Sequence, residues 1–269
     1  VELSSDHCDR QKQKLSAHVE AGRVDWCHLD ELKPFSGCFL SNELVDAFPV
    51  HLVEKKDSEI HEVLVNHHDG RFVEEFGQLT DPHLMDYFEV SQQPLIEGNR
   101  AEVNLAASVW MEQVGRLLER GAVLTIDYGY PAAELLAPWR RAGTLLCYHR
   151  HQSSDNPYQY IGCQDITAHV NFTQLEVVGR KQGLEPLYFG EQYRFLLGLG
   201  FLEELMRLQA LETDPKRAQA LRMTLKNLIL PEGGMGESFK VLLQGKGLGH
   251  PDLLCARPIK DIGLPAGAF

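Results

Sequence analysis

The chain has 269 residues, of which 43% are hydrophobic and 24% are charged, and this composition is typical of a globular protein with ample core. Its formal net charge of −12 argues against a nucleic-acid partner, because phosphates would be repelled, and it suits a basic peptide or an amine. No apolar run approaches the roughly 20 residues of a membrane-spanning helix, and the six scattered cysteines lack the spacing of a disulfide framework or a zinc site.

Two short strands and a charged helix are predicted at the start of the chain. Val1–Leu3 is apolar and β-prone, a charged helix is expected after Ser4 and Ser5 and ends near Gly22, and Val24–Cys27 predicts the next strand. In nucleotide-binding folds a carboxylate at the end of the second strand accepts hydrogen bonds from both ribose hydroxyls. Glu2 is a candidate for this role, and a surface glutamate without a binding role is the alternative.

The segment from Gly37 to Pro49 contains an apolar strand that runs directly into a polar cluster. The strand is predicted to be buried, and it is followed by Asn42, Glu43 and Asp46. In open α/β sheets ligands bind at the carboxyl ends of the strands, so an amide and two carboxylates at this point suit a cationic or amine-bearing group. The alternative is a turn into a helix, with Asn42 as the N-cap.

A β-rich insertion is predicted at residues 51–98, within an α/β domain formed by residues 1–50 and 99–269. His51–Lys55 and Ile60–Val65 alternate like strands, and the Asp69-Gly70 pair before another alternating run predicts a hairpin. His67 and His68 are interpreted as turn residues, because no further ligand stands at a spacing suited to a metal.

A long amphipathic helix is predicted at Ala101–Arg120, with Asn99 and Glu102 as a capping pair and Gly121 as its end. The apolar stripe of this helix is interpreted as core.

Another acidic residue follows a buried strand in the second half of the chain. Ala122–Ile126 is continuously apolar and ends at Asp127. Asp127 is expected to hold the substrate or to orient Asn42 and Glu43, and a structural acid that caps a turn is the alternative.

Gln164, Asp165 and His169 place an amide, a carboxylate and an imidazole just before a helix that is expected to start at Thr173. This position would let them line a pocket, and a structural turn is the alternative. His169 is a candidate proton acceptor, because imidazole titrates near neutrality. A buried core histidine is equally compatible with the sequence.

The last part of the chain predicts a strand at Leu184–Phe189, helices at Gln192–Leu211 and Asp214–Leu230, and a strand at Phe239–Gln244. The glycines of Pro231–Gly236 are not interpreted as a phosphate-binding loop, because a strand follows them and no Lys-Ser/Thr pair is present. The alternation of strands and helices along the chain predicts an α/β doubly wound fold.

Several of these segments together resemble one known family. The run SNELVDAFPV resembles the Asn-Glu-x-x-Asp-Ala-x-Pro motif of the MidA family (DUF185) of S-adenosylmethionine-dependent methyltransferases. Further similar segments occur in order along nearly the whole chain: VELSS, VLTIDYGYP, GTLLCYHRH, GCQDITAHVNF and LPEGGMGESFKVLLQ.

The resemblance implies a Rossmann-like class I methyltransferase sheet with helices on both faces and S-adenosyl-L-methionine as the cofactor. The cofactor-binding residues that it implies are Glu2 at the ribose, Ser4, His28 near the adenine and Asn42. The first strand and the glycine-rich loop of the family have no counterpart in the sequence, and we expect them upstream of residue 1.

The mitochondrial members of the family are protein-arginine methyltransferases that assist assembly of respiratory complex I. The resemblance therefore implies a protein substrate that bears arginine, in the cytoplasm of a bacterium or in the mitochondrion of a eukaryote. Glu43 and Asp46 would pair with the guanidinium and Asn42 would position its reacting nitrogen. Further residues expected to line the site are Asp127, Gln164, Asp165 and His169.

Two other functions are compatible with the sequence. One is an assembly or scaffold protein that keeps the fold and binds its partner through the insertion. The other is a nucleotide-dependent oxidoreductase, which shares the acid at a strand end, although the residues after Asn42 do not favour it. The sequence does not indicate the oligomeric state.

Overall fold

The computed structural model describes residues 1–150, 152–230 and 235–258. Within these ranges the strands are β1 (Phe35–Asn42), β2 (His51–Lys56), β3 (Glu59–His68), β4 (Arg71–Gly77), β5 (Arg100–Val103), β6 (Leu118–Tyr130), β7 (Leu146–His149), β8 (Gln152–Ser154), β9 (Asp165–Thr167), β10 (Val170–Asn171), β11 (Glu185–Glu191) and β12 (Phe239–Lys246). The helices are α1 (Ser5–Lys14), α2 (Ser16–Glu20), α3 (His83–Ser91), α4 (Leu105–Leu117), α5 (Ala132–Leu135), α6 (Phe172–Lys181), α7 (Gln192–Gly198), α8 (Phe201–Leu211) and α9 (Pro215–Asn227). None of these helices combines the length and the apolar character needed to span a bilayer.

The central sheet has the strand order β1-β6-β12-β11, and β10 pairs with the end of β6. β1 and β6 run parallel, whereas β12 is antiparallel to both of its neighbours. Both faces of this sheet are covered at β6 and β12. On one face Val123 and Leu242 pack against α4 and α6, and on the other Val241 packs with Phe195 of α7. The predicted α/β architecture is therefore confirmed.

β1 and β6 approach each other closely at a pair of glycines. Gly121 lies opposite Gly37 in the parallel register and has a φ angle of +141°. A Cβ atom at Gly121 would collide with the carbonyl oxygen of Gly37, so only glycine fits this position. The sequence had indicated Gly121 as the end of a helix, and in the structure it lies inside β6.

A second sheet has the order β4-β3-β2-β5 and is covered on one side by α3. Leu84 and Phe88 of α3 pack against Val53 and Val103 of this sheet. The predicted hairpin is present, and Asp69 and Gly70 have φ angles of +49° and +79°. These positive angles match a turn that continues the twist of its strands. The sheet also includes β5, which lies beyond residue 98, the predicted end of the β-rich insertion. A third sheet has the order β8-β7-β9.

The helix predicted at Ala101–Arg120 begins later than expected. Residues 100–103 form β5 and pair with β2, with Val103 opposite His51. The N-cap of α4 is Asn104, whose Oδ1 accepts a hydrogen bond from the amide of Ala107 at 2.8 Å. The proposed capping residue Glu102 instead accepts hydrogen bonds from the segment that leads to β7. Pairing with β2 therefore overrides the helical periodicity of these residues.

Four other local predictions are wrong. Val1–Leu3 and Val24–Cys27 form no strands, because within the described residues neither segment has a neighbouring strand to bond its backbone. β1 is largely exposed and Leu40 is 68% accessible, since β6 is its only partner in the described part of the chain. No helix follows Asn42, so the N-cap alternative is also wrong.

The C-terminal helices agree better with prediction. Asp214 caps α9 as expected, with its Oδ1 2.8 Å from the amide of Lys216. The helix predicted at Gln192–Leu211 is divided into α7 and α8 at Gly200, whose φ angle is +90°. The N-cap of α6 is Asn171 and not Thr173, where the helix was expected to start. Most of the predicted loop at Pro231–Gly236 lies outside the described residues.

Candidate functional site

The loop that follows β1 is held by the carboxylate of Asp127, which is fully buried at the end of β6. Its Oδ2 accepts hydrogen bonds from three successive backbone amides, those of Leu44 at 3.2 Å, Val45 at 2.9 Å and Asp46 at 3.4 Å. Its Oδ1 accepts from the amide of Tyr128 at 2.9 Å. A buried anion that is satisfied by backbone N–H groups fixes the path of the chain that carries them. Asp127 therefore sets the shape of the loop.

Glu43 lies at the start of this loop in an unusual backbone conformation. Its φ angle is +49°, in the left-handed region that few residues other than glycine adopt. Its amide donates to the carbonyl of Ile126 at 3.0 Å, and its exposed carboxylate accepts from Asn42 Nδ2 at 3.3 Å and from the Tyr128 hydroxyl at 3.5 Å. Such a strained conformation is maintained only where several contacts of the surrounding structure hold it, and it is frequent at functional sites.

A cavity of about 880 Å³, called the acceptor cavity below, opens in front of this loop. Its polar lining residues are Glu43, Asp46, Tyr128, Tyr148, Arg150, Gln164, Asp165 and Thr167. Three of these side chains are carboxylic acids and one is a guanidinium, so with the acids ionised the cavity carries an excess of negative charge. A cationic side chain of a ligand would be attracted to this excess.

Four residues expected from the sequence thus meet in the acceptor cavity: Glu43, Asp46, Gln164 and Asp165. Gln164 is held there by its side-chain amide, whose Nε2 donates a hydrogen bond to the backbone carbonyl of Pro157 at 2.9 Å. Tyr128, Tyr148 and Arg150 were not predicted. The available signal was their position within the segments DYGY and CYHRH, each beside a strand end.

Asp46 and Asp127 form a buried pair of carboxyl groups. Burial and the neighbouring charge of Glu43 raise the pKa of Asp46, and burial together with the charge of Asp46 raises the pKa of Asp127. Asp46 Oδ1 has no hydrogen-bond partner among the described residues, although Asp46 also lines the acceptor cavity. Two carboxylates in such proximity retain a proton at a pH where isolated carboxylates have lost theirs.

This pair predicts a specific dependence of stability on pH. Between the ordinary carboxyl pKa near 4 and the raised pKa of about 7 at Asp127, the folded protein binds a proton that the unfolded chain has released. The pair therefore contributes stability at low pH that is lost as the pH rises through this interval. We expect Asp46→Asn to remove the part of this loss that comes from the charge of Asp46, while the part that comes from the burial of Asp127 remains.

The measurement is urea unfolding of the wild type and of Asp46→Asn at several pH values between about 4 and 8. The free energy of unfolding of the wild type relative to the variant should fall by roughly 1–3 kcal/mol over this interval. Curves that stay parallel would show that the two carboxyl groups are not coupled.

The remaining predicted acceptor residues lie outside the acceptor cavity. Asn42 is exposed and contacts Glu43, and Asp127 is behind the loop. His169 lines a neighbouring cleft, where its Nδ1 is buried without a partner in the described ranges. Burial and the charges of Arg140 and Lys240 lower the pKa of His169 to about 4, so the imidazole is neutral near pH 7.

The residues predicted to bind cofactor lie near the start of the chain, and none of them lines the acceptor cavity. Glu2 accepts hydrogen bonds from the amide of Ser4 at 3.0 Å and from Gln11 Nε2 at 3.3 Å, and these bonds lower the pKa of its carboxyl group. Ser4 caps α1, and the exposed His28 caps a 3-10 turn at Leu29–Glu31. Their role at a cofactor stays a prediction.

The comparisons with known proteins define the class of the fold and the family. A family model described as "Putative S-adenosyl-L-methionine-dependent methyltransferase" matches residues 1–190. Two crystal structures of COG1565 superfamily proteins from Burkholderia thailandensis, one of them with S-adenosyl-homocysteine bound, superpose with a TM-score of 0.82 at 34% identity over 95% of this chain. The fold is therefore that of a class I methyltransferase. The chain belongs to the S-adenosyl-L-methionine-dependent methyltransferase family that this model describes.

A curated relative is more distant. The mitochondrial protein arginine methyltransferase NDUFAF7 of Danio rerio is 26% identical over an alignment of 232 positions, and the match covers 81% of this chain. The chain spans 49% of the length of that relative, and 65% and 68% of the two solved chains.

Proposed function

We propose that the protein transfers a methyl group from S-adenosyl-L-methionine to an arginine side chain of another protein. The observation that carries the arginine assignment is the acceptor cavity, in which Glu43, Asp46 and Asp165 outnumber the single cation Arg150. A carboxylate can bind a guanidinium through two parallel hydrogen bonds, which fix both its position and its orientation. The relative named as a protein arginine methyltransferase supports the same substrate class.

The chain offers suitable groups for the ribose of the cofactor. The carboxylate of Glu2 accepts hydrogen bonds from Ser4 and Gln11, which leaves lone pairs for two hydroxyl donors, and its lowered pKa keeps it ionised. Glu2 and Ser4 would therefore hold the nucleoside, with His28 and Asn42 as further contacts. The bound cofactor would supply an electrophilic methyl group on a sulfonium.

The residues of the acceptor cavity have separate roles in this proposal. Glu43 binds the guanidinium, and Tyr128 and Asn42 hold the Glu43 carboxylate from either side. Asp127 acts as a positioning residue, because it contacts the loop and not the cavity. The methylated nitrogen must release one proton. The Asp46–Asp127 pair can accept it in its doubly ionised form, because its raised pKa matches a base that works near neutral pH.

The test is calorimetric titration of S-adenosylhomocysteine into the full-length protein and its Glu2→Ala variant, followed by transfer of labelled methyl to an arginine-containing peptide. We expect binding by the wild type, affinity reduced by about tenfold or more in the variant, and label recovered as methylarginine. Unchanged affinity in Glu2→Ala would remove Glu2 from the cofactor site. Label on lysine would contradict the arginine assignment, and binding without transfer to any peptide would favour an assembly protein that keeps the fold.

A further inference from the structure

A second cleft, of about 1130 Å³, lies between the four-stranded sheet and the segment around β9. Val63, Val65 and Glu74 line it from the sheet, while Leu145 and Ile166 line it from the other side. The acceptor chemistry assigned above uses none of these residues. The volume exceeds that of a single amino-acid side chain and suits several residues of a polypeptide.

The cleft and the acceptor cavity meet along a shared wall. Ala47, Ile166 and Thr167 line both of them. A ligand with a cationic group beside Glu43 and a longer body can therefore extend from the acceptor cavity over Ile166 and Thr167. The route leads directly into the cleft.

The wall of the cleft on the side of the four-stranded sheet combines apolar side chains with charged side chains that hydrogen bonds hold in place. Tyr158 stacks on Phe72 with ring centroids 6.0 Å apart, and its hydroxyl donates to Glu74 at 3.0 Å. Glu74 also accepts from Arg100, which is bonded to Glu54 as well. These contacts order the wall before any ligand arrives, and pre-ordered side chains reduce the entropic cost of binding.

β9 forms the boundary between the two cavities and has an open edge. In the part of the chain that the structure describes it pairs only with β7, and Ile166 at its centre is 45% exposed. An edge strand presents unpaired backbone N–H and C=O groups, to which an extended peptide can add as a further strand.

We propose that the cleft binds the protein substrate in extended form, with its backbone added to the edge of β9 and its arginine in the acceptor cavity. The inference rests on the proposed function and specifies which segment of the protein recognises the substrate backbone. The excess of carboxylates in the cavity fixes which residue of the substrate enters it, and the apolar wall at Val63 and Val65 contacts the flanking residues. Specificity for a polypeptide over free arginine therefore comes from the cleft.

The test measures the binding of two acceptors in the presence of S-adenosylhomocysteine and, separately, the transfer of methyl to each of them from S-adenosyl-L-methionine. One is a fluorescent peptide with one central arginine, and the other is Nα-acetyl-arginine amide, which lacks flanking backbone. Val65→Lys places a cation on the wall of the cleft. The matched control is Leu64→Lys on the same strand, which is also partly exposed but projects from the opposite face. A second form of the peptide is N-methylated on both sides of the arginine, so that it cannot donate to β9.

We expect Val65→Lys and peptide N-methylation each to weaken peptide binding by about tenfold, with Leu64→Lys close to wild type. Binding of the small amide should be the same in all variants. Equal peptide affinity in all variants and for both peptide forms, together with methyl transfer to arginine, would overturn the cleft assignment and leave the proposed function standing. Absence of transfer to both acceptors in the wild type would overturn both.

Discussion

Glu43→Gln is expected to reduce the rate of methyl transfer by about 10²- to 10⁴-fold, because the guanidinium loses its charged partner inside a partly enclosed cavity. Glutamine keeps the size of the side chain and one acceptor oxygen. It loses the negative charge and the second acceptor that a bidentate contact needs. Single-turnover transfer to an arginine peptide at saturating cofactor measures the effect.

Two observations separate this loss from damage to the fold. Glu43 is exposed, so the free energy of unfolding of the variant should stay within about 0.5 kcal/mol of the wild type. The affinity for S-adenosylhomocysteine should also remain nearly unchanged. Glu119→Gln, on an exposed position at the beginning of β6, is the matched control and should transfer at the wild-type rate. Transfer that survives in Glu43→Gln would refute the assignment of Glu43 to the guanidinium.

Asp127→Asn should lower the free energy of unfolding by about 2–4 kcal/mol and suppress transfer as well. An asparagine carries an amide where one carboxylate oxygen now accepts backbone hydrogen bonds. In either orientation of the amide, a buried N–H group of the side chain would face a backbone N–H of the loop or of Tyr128. The loop would therefore lose its fixed path, and Glu43 would lose its position.

Urea unfolding and the same transfer assay test this prediction, with Asp252→Asn at an exposed site as the control. A stable Asp127→Asn variant that still fails to transfer would indicate that Asp127 acts in the transfer step itself, as part of the proton-accepting pair, and not only through the shape of the loop. A variant with normal stability and activity would contradict the role assigned to its carboxylate.

The sequence identified several members of the candidate site because one physical rule places them. Polar residues at the ends of parallel strands gather at one edge of the sheet, and this rule indicated Glu43 and Asp46 after β1 and Asp127 near the end of β6. It could not assign their different environments. Whether a carboxylate faces a cavity or three backbone amides depends on the path of the loop, which has no separate signature in the composition.

Other features depended on contacts between distant segments. Asn99 was predicted to cap the helix, and only the pairing of β5 with β2 moves the cap to Asn104. Tyr148 and Arg150 enter the cavity because β7 is aligned with β9. The sequence around Tyr148 and Arg150 does not indicate that β9 is the strand beside them.

The hydrogen bonds between Asp127 and the loop also constrain when the site can form during folding. Asp127 lies 81 to 83 positions further along the chain than the three residues whose backbone amides donate hydrogen bonds to its carboxylate. A growing chain that ends before β6 contains Asn42 and Glu43 but lacks the anion that shapes their loop. Pairing of β1 with β6 closes this long segment, so the acceptor site is a late product of folding, and its amides should exchange hydrogen with solvent only when the central sheet opens.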